Sequence, residues 1–255
     1  MEINYLLANP TGNITGLVES EVSIENQPKI AEMIMKKEPS CEQVGFVMDP
    51  VEGSDITLRM AGGEFCGNAT MTTAAYFCKK NEMADGEERE VKVKVVGTPG
   101  LVEVSVKKDK GCFFGTVSMP RPLKISDELL PFENHNYRYP VVTFAGISHI
   151  VIEDNVPVYL PEGAIKIWAD RLKVSGLGLM LLNKEKTEIR PLVYVDEPEG
   201  MIWESSCASG TTAVGAYLTK KAGKPGKYSF KEPGGILEIE TTADGRFLLS
   251  GRVEF

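Results

Sequence analysis

Two stretches of the chain repeat one pattern of apolar and polar positions. Residues 68–80 and 209–221 are rich in Ala, Thr and Tyr, have helical length, and hold no charge before a closing Lys-Lys pair. A helix with no polar face predicts burial on all sides, and the lysines suit the negative end of its dipole. The neighbouring segments alternate instead. Glu90-Val-Lys-Val-Lys-Val-Val96 and Leu237-Glu-Ile-Glu-Thr241 read as half-buried strands of period two. Together these patterns predict an α+β fold in which a curved, mostly antiparallel sheet wraps around a central helix, made twice.

The repeat extends to identity. At a constant shift of 141, the segments Cys66–Lys80 and Cys207–Lys221 agree at six of fifteen positions: Cys66/Cys207, Thr70/Thr211, Ala75/Ala216, Tyr76/Tyr217, Lys79/Lys220 and Lys80/Lys221. Fainter echoes pair Val102-Glu-Val with Leu237-Glu-Ile, and Gly12 to Val22 with Gly146 to Val156. The echoes keep their order, as a fold-scale duplication requires. The chain therefore divides into two pseudo-symmetric domains, 1–118 carrying Cys66 and 119–255 carrying Cys207. The Pro-containing stretch from Pro120 to Pro140 reads as the joint, and the last strand has the option of pairing with the N-terminal half.

Composition narrows the function. The 42% hydrophobic content over 255 residues supports a large core and excludes a disordered or fibrous chain. With 28 Lys plus Arg against 36 Asp plus Glu, the net charge of −8 gives no electrostatic reason to bind nucleic acid or an anionic membrane surface. The start, Met1-Glu2-Ile3-Asn4, lacks a basic leader, and no apolar run approaches the ~20 residues of a membrane span, so a cytoplasmic protein is expected. Five cysteines without CxxC spacing point to thiols, and two histidines make a metal site unexpected. No phosphate loop or Schiff-base lysine motif stands out, so no cofactor is expected. The expected partner is a small molecule, and the sequence leaves a homodimer open.

Cys66 and Cys207 each stand at the start of a predicted buried helix and are followed by small residues. Backbone N–H groups and the positive dipole end favour a thiolate there, which predicts lowered thiol pKa values, and the same donors can hold a carboxylate. Two thiols on opposite sides of one carboxylate-binding cleft suit stereoinversion, which needs one group to take a proton and another to deliver one to the opposite face. Free cysteine more often packs as a small hydrophobe. That reading suits Cys41, Cys78 and Cys112.

Gly63-Glu-Phe-Cys66-Gly-Asn68-Ala and Ser206-Cys207-Ala-Ser209-Gly210 resemble the paired cysteine motifs of the diaminopimelate epimerase-like fold, the cofactor-independent amino-acid racemases and epimerases. Gly12-Asn13 and Gly146-Ile-Ser-His149 resemble further family segments. The resemblance implies that Cys66 and Cys207 are the acid/base pair and that Asn13, Gly67, Asn68, Ala208 and Ser209 bind the substrate. The residues by which diaminopimelate epimerases read a second carboxylate are replaced here by Met60, Ile147, Gly176 and Pro198-Glu199. Ile189-Arg-Pro-Leu-Val-Tyr194 and Trp203-Glu204-Ser-Ser-Cys207 are instead similar to the histidine racemase branch, with Glu199 or Glu204 as the carboxylate toward an imidazole, or else Glu204 a structural carboxylate. His149 reads as a structural histidine. The rival readings are another racemase or epimerase of this fold, a phenazine-biosynthesis-like isomerase, which would lack the cysteine pair, and an amino-acid binding protein that never exchanges an α-proton.

Overall fold

The computed structural model describes residues 3–153, 155–185, 187–196 and 199–255. Two compact units form, one running to Ser118 and including Leu248–Phe255, the other Met119–Phe247. The first holds β1 (Tyr5–Pro10), β2 (Thr15–Val18), α1 (Gln27–Lys37), β3 (Gln43–Met48), β4 (Ile56–Met60), α2 (Gly67–Lys80), β5 (Glu88–Val95), β6 (Val102–Asp109) and β7 (Cys112–Met119). The second holds β8 (Lys124–Phe132), β9 (His135–Thr143), β10 (Ser148–Ile152), α3 (Tyr159–Leu172), β11 (Gly176–Asn183), β12 (Glu188–Val195), β13 (Gly200–Trp203), α4 (Ala208–Ala222), β14 (Lys227–Glu232) and β15 (Gly235–Thr241). The last strand, β16 (Phe247–Glu254), returns to the first unit, where Asn9 and Pro10 of β1 face Glu254 and Val253.

In the first unit the strands follow one another from β1 through β7 to β16 and back to β1. This ring explains a helix without a polar face. Helix α2 packs against β1, β2, β4, β5 and β6, and every residue from Gly67 to Tyr76 is buried. In the second unit the order is β15-β14-β12-β11-β10-β9-β8, and α4 packs against β9, β10, β11, β14 and β15. Parallel neighbours need a long crossover, and both units use helices for it. The β2/β3 and β10/β11 pairs are parallel across α1 and α3, and β4/β5 and β12/β14 are parallel across α2 and α4. Most other neighbours are antiparallel, as in β5/β6 and β14/β15, so the α+β fold expected from the periodicity is the one observed.

Both units also carry an outer helix. Ala31 and Ile34 of α1 close over Val18, Val44 and Phe46. Trp168 of α3 is fully buried among Leu130, Tyr139, Ile150, Leu179 and Leu192, and its ring N–H donates to the Pro131 carbonyl at 3.0 Å, so its one polar atom is satisfied.

One expectation is corrected. The stretch from Pro120 to Pro140 is not a bare joint, because it forms β8 and most of β9, paired from Lys124↔Thr143 to Phe132↔His135. The prolines sit where a ladder tolerates a missing N–H. Pro131 lies on the edge strand β8, and Pro140 precedes the β9 residues, from Val141, that pair with β10. No helix among the described residues is long and apolar enough to cross a membrane.

Candidate active site

Cys66 is the N-cap of α2, with extended backbone, and its sulfur accepts the Ala69 N–H at 3.4 Å. The Thr70 hydroxyl donates to the Cys66 carbonyl at 2.7 Å and closes the first turn. The thiol donates to Gln43 Oε1 at 3.0 Å. Gln43 cannot present its other end, because its amide nitrogen donates to Asn13 Oδ1 at 2.6 Å and Thr15 Oγ1 at 2.8 Å. Asn13 Oδ1 also accepts from Asn68 Nδ2 at 3.1 Å, and Asn13 Nδ2 donates to Glu42 at 2.6 Å. Cys66, Gly67, Asn68 and Asn13, picked out in the sequence, thus gather around one sulfur and the first turn of a buried helix. Gly12 enables this by a left-handed turn (φ 93) just before Asn13, as Gly146 (φ 88) does before Ile147.

Cys207 is the N-cap of α4, again extended, and Ala208, Ser209 and Glu204 gather with it. Its sulfur lies 3.7 Å from the Ser209 hydroxyl, which lies 2.9 Å from His149 Nε2. Gly210 lets Met180 and the sulfur close in beside it, since a Cβ there would stand 2.1 Å from Met180 Sδ and 3.2 Å from the Cys207 sulfur. The Cys207 N–H donates to Glu232 at 2.8 Å, and the Thr211 hydroxyl donates to the other oxygen of the same carboxyl.

The expected lowering of both thiol pKa values does not hold for Cys207. Burial pushes its thiol well above the ordinary range, and the carboxylates of Glu204, which hydrogen-bonds the thiol, and Glu232 push it further; the Gly210 N–H opposes them. Only 6% of Cys207 is exposed, so loss of hydration outweighs a helix terminus worth about 0.3–2 kcal/mol. Burial likewise pushes His149 down to about 3, which makes it a neutral imidazole. Its Nδ1 has no hydrogen-bond partner among the described residues.

Equivalent strand positions show how the units diverge. Thr15 of β2 faces Gln43 of β3, whereas His149 of β10 faces Gly178 of β11. Where the first unit extends an amide toward its sulfur, the second has a glycine that makes room for an imidazole.

Other candidates lie elsewhere. Glu199 forms an exposed ion pair with Lys166 at 2.6 Å, while Pro198 lies outside the described residues. Met60 is core, at 1% exposure. Cys41 and Cys78 are buried, with Cys78 pushed up to about 11 by burial. Cys112 is only half-buried and accepts from Arg252 at 3.0 Å. No cluster of three or more metal-ligating side chains occurs among the described residues. Gln43 and Glu232 escaped the sequence reading. The pairing of Thr15 with Gln43 across a parallel ladder carries no local signal, and Glu232 differs from its strand neighbours only by being an acid at a position that should be apolar.

A solved structure from Pseudomonas aeruginosa, described as a predicted epimerase, superposes with a TM-score of 0.72 at 13% identity, covering 99% of this chain and 96% of the other. A histidine racemase from Fusobacterium nucleatum is 32% identical over 99% of this chain and 94% of its own length. A histidine racemase from Staphylococcus aureus is 30% identical over 93% of this chain and 88% of its own length. Residues 2–254 match the family described as the histidine racemase CntK N-terminal domain, and the chain belongs to that family.

Proposed function

We propose that the protein is a cofactor-independent histidine racemase that interconverts L- and D-histidine with Cys66 and Cys207 as its two proton-transfer groups. The observation that carries this reading is that both cysteines are N-caps of buried helices, each with its sulfur at the first turn, in a chain of this family. One sulfur, as thiolate, takes the α-proton; the other, as thiol, delivers a proton to the opposite face of Cα. After one turnover the two have exchanged protonation states, so the reverse reaction uses the same groups in exchanged roles. The first-turn N–H groups, at Gly67 and Asn68 and at Ala208 and Ser209, bind the α-carboxylate and stabilise charge spreading onto it as the C–H bond breaks. Asn13 buttresses Asn68. A reducing cytoplasm suits a site that needs both sulfurs as thiols.

The test is incubation with L-histidine in D2O, followed by NMR and chiral chromatography. Loss of the α-proton signal with appearance of D-histidine is expected. Binding without exchange would make the protein an amino-acid binder, and a higher kcat/KM for LL-diaminopimelate than for L-histidine would make it a diaminopimelate epimerase.

A further inference from the structure

The two helix starts are duplicated in sequence, yet they are closed differently. In α2 the Thr70 hydroxyl turns back to the Cys66 carbonyl, and the Cys66 sulfur accepts a helix N–H. In α4 the Gly210 N–H still faces the Cys207 sulfur, but the Thr211 hydroxyl, at the matching position, turns away to Glu232.

Strand register shows where this acid comes from. Val93 of β5 faces Val102, and Phe230 of β14 faces Leu237. Two residues on, the buried position is Val95 in the first unit and Glu232 in the second, at 0% and 2% exposure. A carboxyl thus replaces a core valine. Burying one costs several kcal/mol unless it is hydrogen-bonded or neutralised, and among the described residues Glu232 makes no ion pair. Its two oxygens are instead both spent on the turn that holds Cys207.

We infer that Glu232 is a positioning residue for proton transfer at Cys207: its carboxyl clamps the first turn of α4 so that the sulfur is aimed, and its ionisation opposes formation of the Cys207 thiolate. This rests on Cys207 being one of the two proton-transfer groups. The titratable groups facing Glu232 are the Cys207 thiol, on α4, and the Glu204 carboxylate, in the segment before α4. Neighbouring Lys231 is exposed and turned to Glu188. Burial pushes the Glu232 carboxyl up to about 8, so near neutral pH it is largely protonated and becomes a second negative charge beside the sulfur as the pH rises.

Glu232→Gln separates aim from charge, because its carbonyl can accept the Cys207 N–H while its amide nitrogen donates to Thr211. Alkylation of Cys207 by iodoacetamide is followed against pH by peptide mass spectrometry on the full chain. In Glu232→Gln, Cys207 should alkylate about two-fold faster than wild type near pH ~8, where Glu232 is half ionised, rising to about ten-fold near pH ~10, as expected when a neighbouring like charge that raises a pKa by about one unit is removed. Glu232→Ala loses the clamp, and its kcat should fall about 10- to 100-fold in both directions with KM within about two-fold. Coincident alkylation profiles for wild type and Glu232→Gln would overturn the inference. If Glu232→Ala does not fold, the Gln profile alone decides. Cys207→Ala is the control. If it is inactive while the Gln profile is unmoved, only the role of Glu232 fails; if it racemises, the two-thiol reading fails and takes this inference with it.

Discussion

Gly178→Ala should be costly for a reason visible at one atom. A Cβ at that position would lie 2.2 Å from His149 Nδ1, 2.7 Å from its Cε1 and 2.9 Å from Met180 Cε. Carbon contacts relax near 3.5 Å, so the ring must retreat by about 1 Å. Met180 can swing its methyl aside. His149 cannot move freely, because it is fully buried, bonded to Ser209 at 2.9 Å and set edge-on to Phe144. Overpacking costs about 1–3 kcal/mol, and loss of the Ser209 bond adds about 1 kcal/mol. The total of about 2–4 kcal/mol should lower Tm by about 2–4 °C per kcal/mol in a chain of this size. Thermal unfolding of wild type, Gly178→Ala, His149→Ala and the double variant closes a cycle. With the imidazole gone the added methyl has room, so the coupling should be about 1–3 kcal/mol. An unchanged Tm for Gly178→Ala, or the same cost in both histidine backgrounds, would refute the argument.

Cys66→Ala and Cys207→Ala should each abolish racemisation in the D2O assay, whereas Cys78→Ala should cost only stability, about 1 kcal/mol for a small buried side chain; full turnover by either of the first two would contradict the two-thiol mechanism. His149 titrates at about 3 in the folded protein against 6.5 in the unfolded chain, so the unfolded chain binds the extra proton between those values and stability is lost as pH falls through that window, by up to about 1.4 kcal/mol per pH unit. Urea titrations should show that loss shrinking in His149→Gln. Glu232 acts in the opposite sense, since its folded value of about 8 exceeds 4.5; its contribution falls as pH rises across that range and should vanish in Glu232→Gln. Glu153 bridges Lys184 at 2.5 Å and Lys221 at 3.2 Å on the surface, and Glu153→Ala should change unfolding free energy by no more than about 1 kcal/mol.

What could be read from the sequence was local. A run of Ala and Thr without charge before Lys-Lys specified a helix with no solvent face, and alternating valines specified strands, because those patterns act through the 3.6 and 2.0 periodicities of the backbone itself. The cysteines could be placed at the helix starts on the same grounds, and the motif residues around them carried the family, whereas the left-handed turns at Gly12 and Gly146 became visible only in the backbone. The surroundings of each sulfur were decided elsewhere. Gln43 reaches Cys66 across 23 positions and Glu232 reaches Cys207 across 25, and β16 closes on β1 from the far end of the chain. Hydration follows the same rule. The helix terminus that favours a thiolate, and Glu204 which opposes it, are written in the few residues around Cys207, but the burial and the Glu232 carboxylate that also oppose it come from segments brought together only by folding, and in a dry interior burial outweighs the terminus.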